Sequence, residues 1–143
     1  MRMPSVAVRN RQRKISVNVP ALQEFASRAL PRCLALALPG KRADASLFDI
    51  YVLLISDRRM SGLHQKFLKK RGPTDVITFE HGEIFISIET ARRNARRFGN
   101  SFQGELKLYL VHGFLHLAGF DDRNEADARK MRAAQERILR TVF

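Results

Sequence analysis

A strongly apolar segment, GELKLYLVHGFLHLAG at residues 104–119, places the tightest constraint on how this chain can fold. Its apolar residues have the spacing and length of a helix that is buried in a core. The segment nevertheless carries His112 and His116, and Asp121 and Asp122 follow it closely. Unpaired imidazoles and carboxylates are costly to bury, so each of these groups needs a partner. The sequence therefore predicts a central helix whose polar side chains share one site.

The spacing of these residues predicts a metal site. On a helix, His112 and His116 differ by about 40° of rotation and about 6 Å of rise, so both imidazoles lie on one face. Gly119 can adopt a positive φ and end the helix, which lets the chain fold back at Asp122. Two imidazoles and one carboxylate form a known catalytic zinc set with an open fourth position. The alternative is a pair of core histidines that are satisfied by hydrogen bonds alone.

Two neighbours of these residues refine the prediction. Asp121 competes with Asp122 as ligand, but the three-residue return after Gly119 favours Asp122. Asp121 would then orient a histidine or cap the next helix. Gly113 stands where zinc peptidases of this spacing carry the glutamate that acts as general base, which counts against proteolysis.

The rest of the chain indicates an α+β fold, in which a small mixed sheet of about four strands, including a β-hairpin, packs with about five helices. Strands are predicted at 5–10, 46–56, 74–80 and 82–88, a turn at 39–44, and helices at 20–38, 57–72, 89–100, 104–119 and 124–140. Pro31 should kink or break the first helix. Asp57 should cap the second helix, which should end near Gly72.

Composition limits the class of protein. The 143 residues, 45% hydrophobic and 28% charged, suit one globular domain spanning 1–143. A net charge of +12 favours a polyanionic partner, of which nucleic acid is the commonest. The basic residues cluster at 9–14, 66–71 and 91–98, and each cluster could equally be a solvated surface. The single cysteine, Cys33, and the lack of a signal peptide or membrane span predict a cytoplasmic protein.

Three ordered motifs resemble a known family. The sequence reads HGFLHLAGFDD at 112–122, PTDVITF at 73–79 and GEIFIS at 82–87. These are similar to the H-G-x-L-H-L-x-G-Y-D-H, P-T-D-V-L-S-F and G-D-I-x-I-S motifs of the YbeY family of bacterial endoribonucleases. The resemblance covers nearly the whole chain. It implies a single-strand-specific, metal-dependent endoribonuclease that acts on ribosomal RNA and ribosomal particles, in rRNA maturation and ribosome quality control, with one Zn²⁺ as cofactor.

The chain departs from the family pattern at two important positions. Asp122 replaces the third ligand histidine, and this carboxylate widens the plausible metals toward harder ions such as Mn²⁺. Leu68 replaces an arginine, whose charge could come from Lys69, Lys70 or Arg71. These departures keep open an alternative, in which the protein is a non-catalytic RNA-binding ribosome-assembly factor with a structural or lost metal site.

The predicted site residues fall into three groups. The metal ligands are His112, His116 and Asp122. Catalytic roles are predicted for Asp121, Lys69 and Arg71, and RNA contacts for Lys69, Lys70, Arg71, Thr74 and Ser87. For Thr74 and Ser87 the alternative is a capping or sheet hydrogen bond. The sequence leaves the oligomeric state open.

Overall fold

In the computed structural model, which describes residues 4–37, 49–72 and 74–142, five helices pack with a four-stranded mixed sheet. The α+β prediction is therefore confirmed. In chain order the elements are β1 (Ser5–Asn10), α1 (Val19–Ala35), β2 (Asp49–Ile55), α2 (Asp57–Leu68), β3 (Val76–Thr78), β4 (Glu83–Ser87), α3 (Ile88–Phe98), α4 (Phe102–Leu117) and α5 (Glu125–Thr141). The predicted turn at 39–44 and the start of the predicted strand 46–56 lie outside the described residues.

The sheet has the strand order β1-β2-β4-β3. Strands β1, β2 and β4 run parallel, whereas β3 pairs antiparallel with β4 and forms one edge. The β3–β4 connection is the predicted hairpin, in which Thr78 lies opposite Ile84. Because side chains alternate along a strand, Ile84 and Ile86 face one side of the sheet and Phe85 faces the other.

Each face of the sheet buries a separate apolar cluster. The larger cluster contains Ile84 and Ile86 and includes the buried faces of α1, α3, α4 and α5. The smaller cluster joins Phe85 to Met60, so α2 covers the opposite face. Helix α4 is the central helix of the larger cluster, and its Leu110 and Phe114 are completely buried. The apolar segment thus forms the core helix that its composition predicts.

Some local predictions are wrong. The predicted break at Pro31 is absent, because α1 runs through this residue and buried Leu30 and Cys33 hold the turns on either side against the core. Ser56, not Asp57, is the N-cap of α2, and its hydroxyl accepts from the Arg59 amide. The helix ends before Gly72, because Lys69 adopts the left-handed conformation (φ 56°) and its amide bonds the Gln65 carbonyl.

Asp57 instead joins the beginnings of α2 and α3. Its carboxylate accepts hydrogen bonds from the hydroxyl of Ser87 and from that of Thr90 (2.7 Å), and it pairs with Arg93 at 2.7 Å. Its amide donates to the Glu89 carboxylate at 3.0 Å. Burial alone would raise the pKa of Asp57, but the bonds from Ser87, Thr90 and Arg93 lower it below its usual value.

This network predicts a pH-dependent contribution to stability. Because the pKa of Asp57 is lower in the folded than in the unfolded chain, its contribution is complete above the ordinary carboxyl pKa and is lost as pH falls through the folded value. We expect Asp57→Asn to lower the free energy of unfolding by about 1–2 kcal/mol at neutral pH. Urea unfolding at neutral and acidic pH measures this difference, which should shrink in acid. Glu136→Gln, at an exposed position, is the control. An Asp57→Asn deficit that is equal at both pH values would contradict the assignment.

Candidate metal centre

Helix α4 and the turn after it assemble the predicted site. The helix ends at Leu117, and Gly119 then adopts a φ of 100°, a conformation that favours glycine. The amide of Phe120 bonds back to the Leu115 carbonyl at 2.9 Å, which closes the turn over the end of the helix. The chain is thereby reversed, and Asp122 is returned to the histidine face.

His112, His116 and Asp122 come together as a set that could hold a metal ion. One ligand atom from each residue lies within 4.8 Å of the others. The two histidines are half-buried and Asp122 is exposed, so the site opens to solvent on the carboxylate side. The Nε2 atoms of His112 and His116 are 3.0 Å apart. Two nitrogens that bind one tetrahedral zinc at its usual bond length are separated by about 3.3 Å.

The other ring nitrogen of each histidine has an oxygen partner. His116 Nδ1 lies 3.0 Å from the Phe120 carbonyl, and His112 Nδ1 lies 2.6 Å from Gln135 Oε1 on α5. A carbonyl oxygen only accepts, so each Nδ1 carries the proton and donates it. Ligand histidines in proteins are usually held in this way, with one nitrogen donating and the other bound to the metal.

This arrangement leaves the two Nε2 lone pairs directed at each other. With both protons on Nδ1, neither Nε2 can donate to the other, and two lone pairs at 3.0 Å repel. A cation between them removes the repulsion. The donor set therefore fits a divalent metal better than a pair of satisfied core histidines.

Groups around His116 shift its pKa in opposite directions. Burial lowers the pKa of His116 below its usual value, and the nearby His112 lowers it further. Asp122, the Phe120 carbonyl and Asp121 act in the opposite direction, but the net direction is downward. The neutral imidazole, which is the metal-binding form, is thus favoured at this position.

The Nδ1 atoms of the two histidines have partners other than Asp121. His112 Nδ1 contacts Gln135, and His116 Nδ1 contacts the Phe120 carbonyl. The Asp121 carboxylate accepts from the Arg123 amide at 3.1 Å and pairs with the Arg123 guanidinium at 3.0 Å. The N-cap of α5 is Asn124. Asp121 therefore organises the turn between α4 and α5, and the catalytic role predicted for it stays a prediction.

Gly113 lets α4 pack closely on the sheet. A Cβ at this position would lie 2.9 Å from Ile84 Cδ1 and 3.2 Å from the Thr78 hydroxyl. The residue faces the hairpin rather than the open side of the site. A glutamate at this position would not fit without displacing the Ile84 side chain, and the prediction that the chain is not a peptidase stays a prediction.

A family model and curated relatives of this chain carry the same description. The family model described as Endoribonuclease YbeY matches residues 7–142. The chain belongs to the YbeY family. Curated relatives named Endoribonuclease YbeY include one from Chloroherpeton thalassium, 30% identical over 90% of this chain and 95% of the relative. Another, from Geobacter metallireducens, is 32% identical over 94% of this chain and 93% of the relative.

A solved structure agrees with the fold of this YbeY family member. The solution structure of a Thermotoga maritima protein matches with a TM-score of 0.64 and 27% sequence identity. The match covers 94% of this chain and 86% of that protein. In the part of the chain that the structure describes, no helix has the length and apolar character needed to cross a membrane.

The residues predicted to contact RNA in this YbeY protein divide into exposed and buried ones. Lys69, Lys70 and Arg71 are exposed at the end of α2, and Thr74 is half-buried. Ser87 is completely buried, and its hydroxyl donates to Asp57. Ser87 therefore presents no surface to RNA. Its hydrogen bond to the Asp57 carboxylate is neither the capping bond nor the sheet bond that the sequence offered as the alternative.

The edge strand β3 lies between the basic end of α2 and the histidine helix. Thr78 faces Gly113 of α4, and the next residue, Phe79, has its ring 5.4 Å from that of Phe67 on α2. Leu68, at the position of the family arginine, is 47% exposed and follows Phe67 directly. The cationic segment 69–71 thus begins where α2 packs against the strand that borders the metal centre.

Gln135 is the site residue that the sequence does not reveal. It lies on α5, 19 positions after His116, in a helix whose exposed face is rich in charged side chains. Nothing in its spacing distinguishes it from its neighbours. The approach of α5 to α4 brings it to His112.

Proposed function

We propose that this chain is a metal-dependent endoribonuclease that cleaves single-stranded segments of ribosomal RNA during rRNA maturation and ribosome quality control. The observation that carries this proposal is the pair of Nε2 atoms facing each other at 3.0 Å beside an exposed carboxylate. The names of the curated relatives supply the reaction, and the net charge of +12 supports a polyanionic substrate. We expect it to act in the cytoplasm, on ribosomal particles.

His112, His116 and Asp122 would hold the ion, and the set suits one Zn²⁺ or, because one ligand is a carboxylate, Mn²⁺. When bound, the metal would supply Lewis-acid polarisation of a phosphoryl oxygen and a more acidic water. Gln135 and the Phe120 carbonyl fix the ring orientations. Lys69 and Arg71, in the exposed basic segment that follows α2, would offset the charge that develops on the phosphate.

A second candidate is an RNA-binding ribosome-assembly factor in which the metal is structural or lost. The observations that favour it are Asp122 and Leu68, where the family has histidine and arginine. A carboxylate ligand lowers the positive charge at the metal, and leucine provides no charge for the phosphate. The two candidates differ in whether RNA is cut.

Metal analysis combined with RNA cleavage tests the proposal. Protein purified without chelator should hold about one equivalent of metal by mass spectrometry. It should cut a single-stranded RNA but not the same sequence in a duplex, and it should leave casein intact. Chelation should stop cleavage, and added Zn²⁺ or Mn²⁺ should restore it. Less than roughly a tenth of an equivalent, not raised by adding either metal, would exclude the site. Full metal without cleavage would favour the assembly factor.

A further inference from the structure

We propose that this chain has a second RNA-binding surface, remote from the metal centre, which holds the phosphate backbone of the substrate. This inference rests on the function proposed above. It adds a surface that binds the RNA substrate outside the site of cleavage. We call it the carboxyl-edge surface, because it begins at the ends of the parallel strands β1, β2 and β4 and continues along α3. Its basic residues are Arg11, Arg13, Lys14, Arg58, Arg59, Arg92, Arg93, Arg96 and Arg97.

Specific contacts bring three separate segments together at this edge. The loop after β1 is fixed by the Arg11 amide, which bonds the Leu54 carbonyl of β2 at 2.8 Å. Lys14 from the same loop reaches Glu89 at 3.8 Å, and Glu89 also accepts from the amide of Asp57. The basic cluster 9–14 therefore meets the first turn of α3, directly before the basic cluster 91–98, together with the first turn of α2.

Helix α3 presents its arginines as one continuous face. Ile88, Ala91 and Ala95 are buried against the core. At about 100° per residue, the four arginines at 92, 93, 96 and 97 project within an arc of roughly 140° on the other side. All four are exposed. This helix therefore offers a row of guanidinium groups to solvent rather than a mixed polar face.

The charge of the surface is mostly uncompensated. Nine basic side chains surround two carboxylates, Asp57 and Glu89, and these two are engaged by Arg93 and Lys14. Within the described ranges 4–37, 49–72 and 74–142, neither Arg92 nor Arg96 forms an ion pair. Crowded cations repel each other, and a polyanion relieves this repulsion while it releases its own counterions.

The carboxyl-edge surface is separate from the metal centre. Ser87, the buried last residue of β4, lies beneath the carboxyl-edge surface and three residues along the strand from Ile84, which contacts the α4 residue next to His112. This corresponds to about 10 Å along the strand. Asn94 of α3 donates to the hydroxyl of Tyr109 at 2.8 Å, one turn before His112 on α4. Arg92 and Arg96 project about 160° away from Asn94 around α3, so they face away from the metal centre. A strand of RNA that reaches both places must extend over several nucleotides.

The occupant that these features favour is the backbone of single-stranded RNA. A guanidinium group can form bidentate hydrogen bonds with two phosphate oxygens. A row of arginines can therefore bind successive phosphates of a nucleic-acid backbone. Apart from Phe98, which is 62% exposed, the large side chains on the exposed side of α3 are charged, so recognition would depend on charge more than on base identity.

The test is the double variant Arg92→Gln/Arg96→Gln, whose residues are exposed and outside the Asp57 network. Binding of the metal-loaded full chain to a short fluorescent 2′-O-methyl RNA is measured by anisotropy across a series of NaCl concentrations. We expect Kd to rise about tenfold and the slope of log Kd against log [NaCl] to fall by about 1.4, because each phosphate contact contributes about 0.7 for a single strand. Circular dichroism checks the fold.

A matched control is Arg28→Gln/Arg32→Gln, which removes the same charge from an exposed pair with the same spacing on α1. This control should leave Kd and the salt slope unchanged. Equal losses in both variants, or no loss in either, would overturn the proposal. The proposal would also be overturned if the double variant bound RNA as tightly as the wild type but bound polyglutamate more weakly. That result would indicate that the partner of this surface is an acidic protein. Wild-type chain that binds through these arginines but cuts no RNA would support the surface while contradicting the proposed function.

Discussion

His116→Ala is expected to remove the metal and to reduce RNA cleavage by about 1,000-fold. The variant deletes one of the two nitrogens that face each other at 3.0 Å, and a single histidine with one exposed carboxylate is a weak site. A catalytic metal contributes several kcal/mol of transition-state stabilisation, which corresponds to about this factor. Metal content by mass spectrometry and single-turnover cleavage of a single-stranded RNA measure both effects on the same preparation.

The control for this variant is His81→Ala, which removes an exposed histidine that pairs with Glu83 in the hairpin turn. It should keep the metal and the cleavage rate. Circular dichroism should show both variants folded, since the His116 ring is at the edge of the core rather than inside it. If His116→Ala keeps about one equivalent of metal, the ligand assignment is wrong. If it loses the metal but still cuts RNA, the metal is structural.

Gln135→Leu is expected to weaken metal binding by about 10- to 100-fold without removing a ligand. Leucine has a similar size but cannot accept the His112 Nδ1 proton, so the ring loses its fixed orientation. Competition with a chromophoric chelator measures the affinity for Zn²⁺. The rate of RNA cleavage at limiting metal should fall in parallel, and saturating metal should recover much of it.

Gln135→Glu separates positioning from general packing. A carboxylate still accepts from His112 Nδ1, so this variant should keep an affinity near that of the wild type, whereas a purely structural role would be disturbed by the new charge. Equal affinities for wild type, Gln135→Leu and Gln135→Glu would show that the 2.6 Å contact does not orient the ligand.

The sequence predicts this site well where local geometry decides the outcome. The four-residue spacing of His112 and His116 fixes a common face on any helix, and Gly119 allows the reversal that returns Asp122. These features depend on the backbone of one segment. The central position of α4 follows equally from its composition, because so apolar a helix has no stable place at a surface.

The features that the sequence misses or predicts wrongly depend on contacts between distant segments or on near-equal local choices. Gln135 reaches His112 only because α5 packs against α4, and no pattern in α5 marks it. Ser56 and Asp57 are both good N-caps, and the choice is decided by the bonds that Asp57 makes to Ser87 and Thr90. The meeting of the basic clusters likewise depends on the parallel order of the strands, which sequence spacing does not encode.

Placing the histidine pair on a core helix separates metal binding from folding. Leu110 and Phe114, on the same helix, are completely buried, so the scaffold is held by apolar contacts whether or not an ion is present. Small zinc domains, by contrast, use metal affinity as their folding energy. The backbone of the site is held by these apolar contacts, so a bound ion would add stability only through mass action. If the proposed metal binds, the protein would be expected to take it up as a folded molecule, and metal supply would then affect its activity more than its abundance.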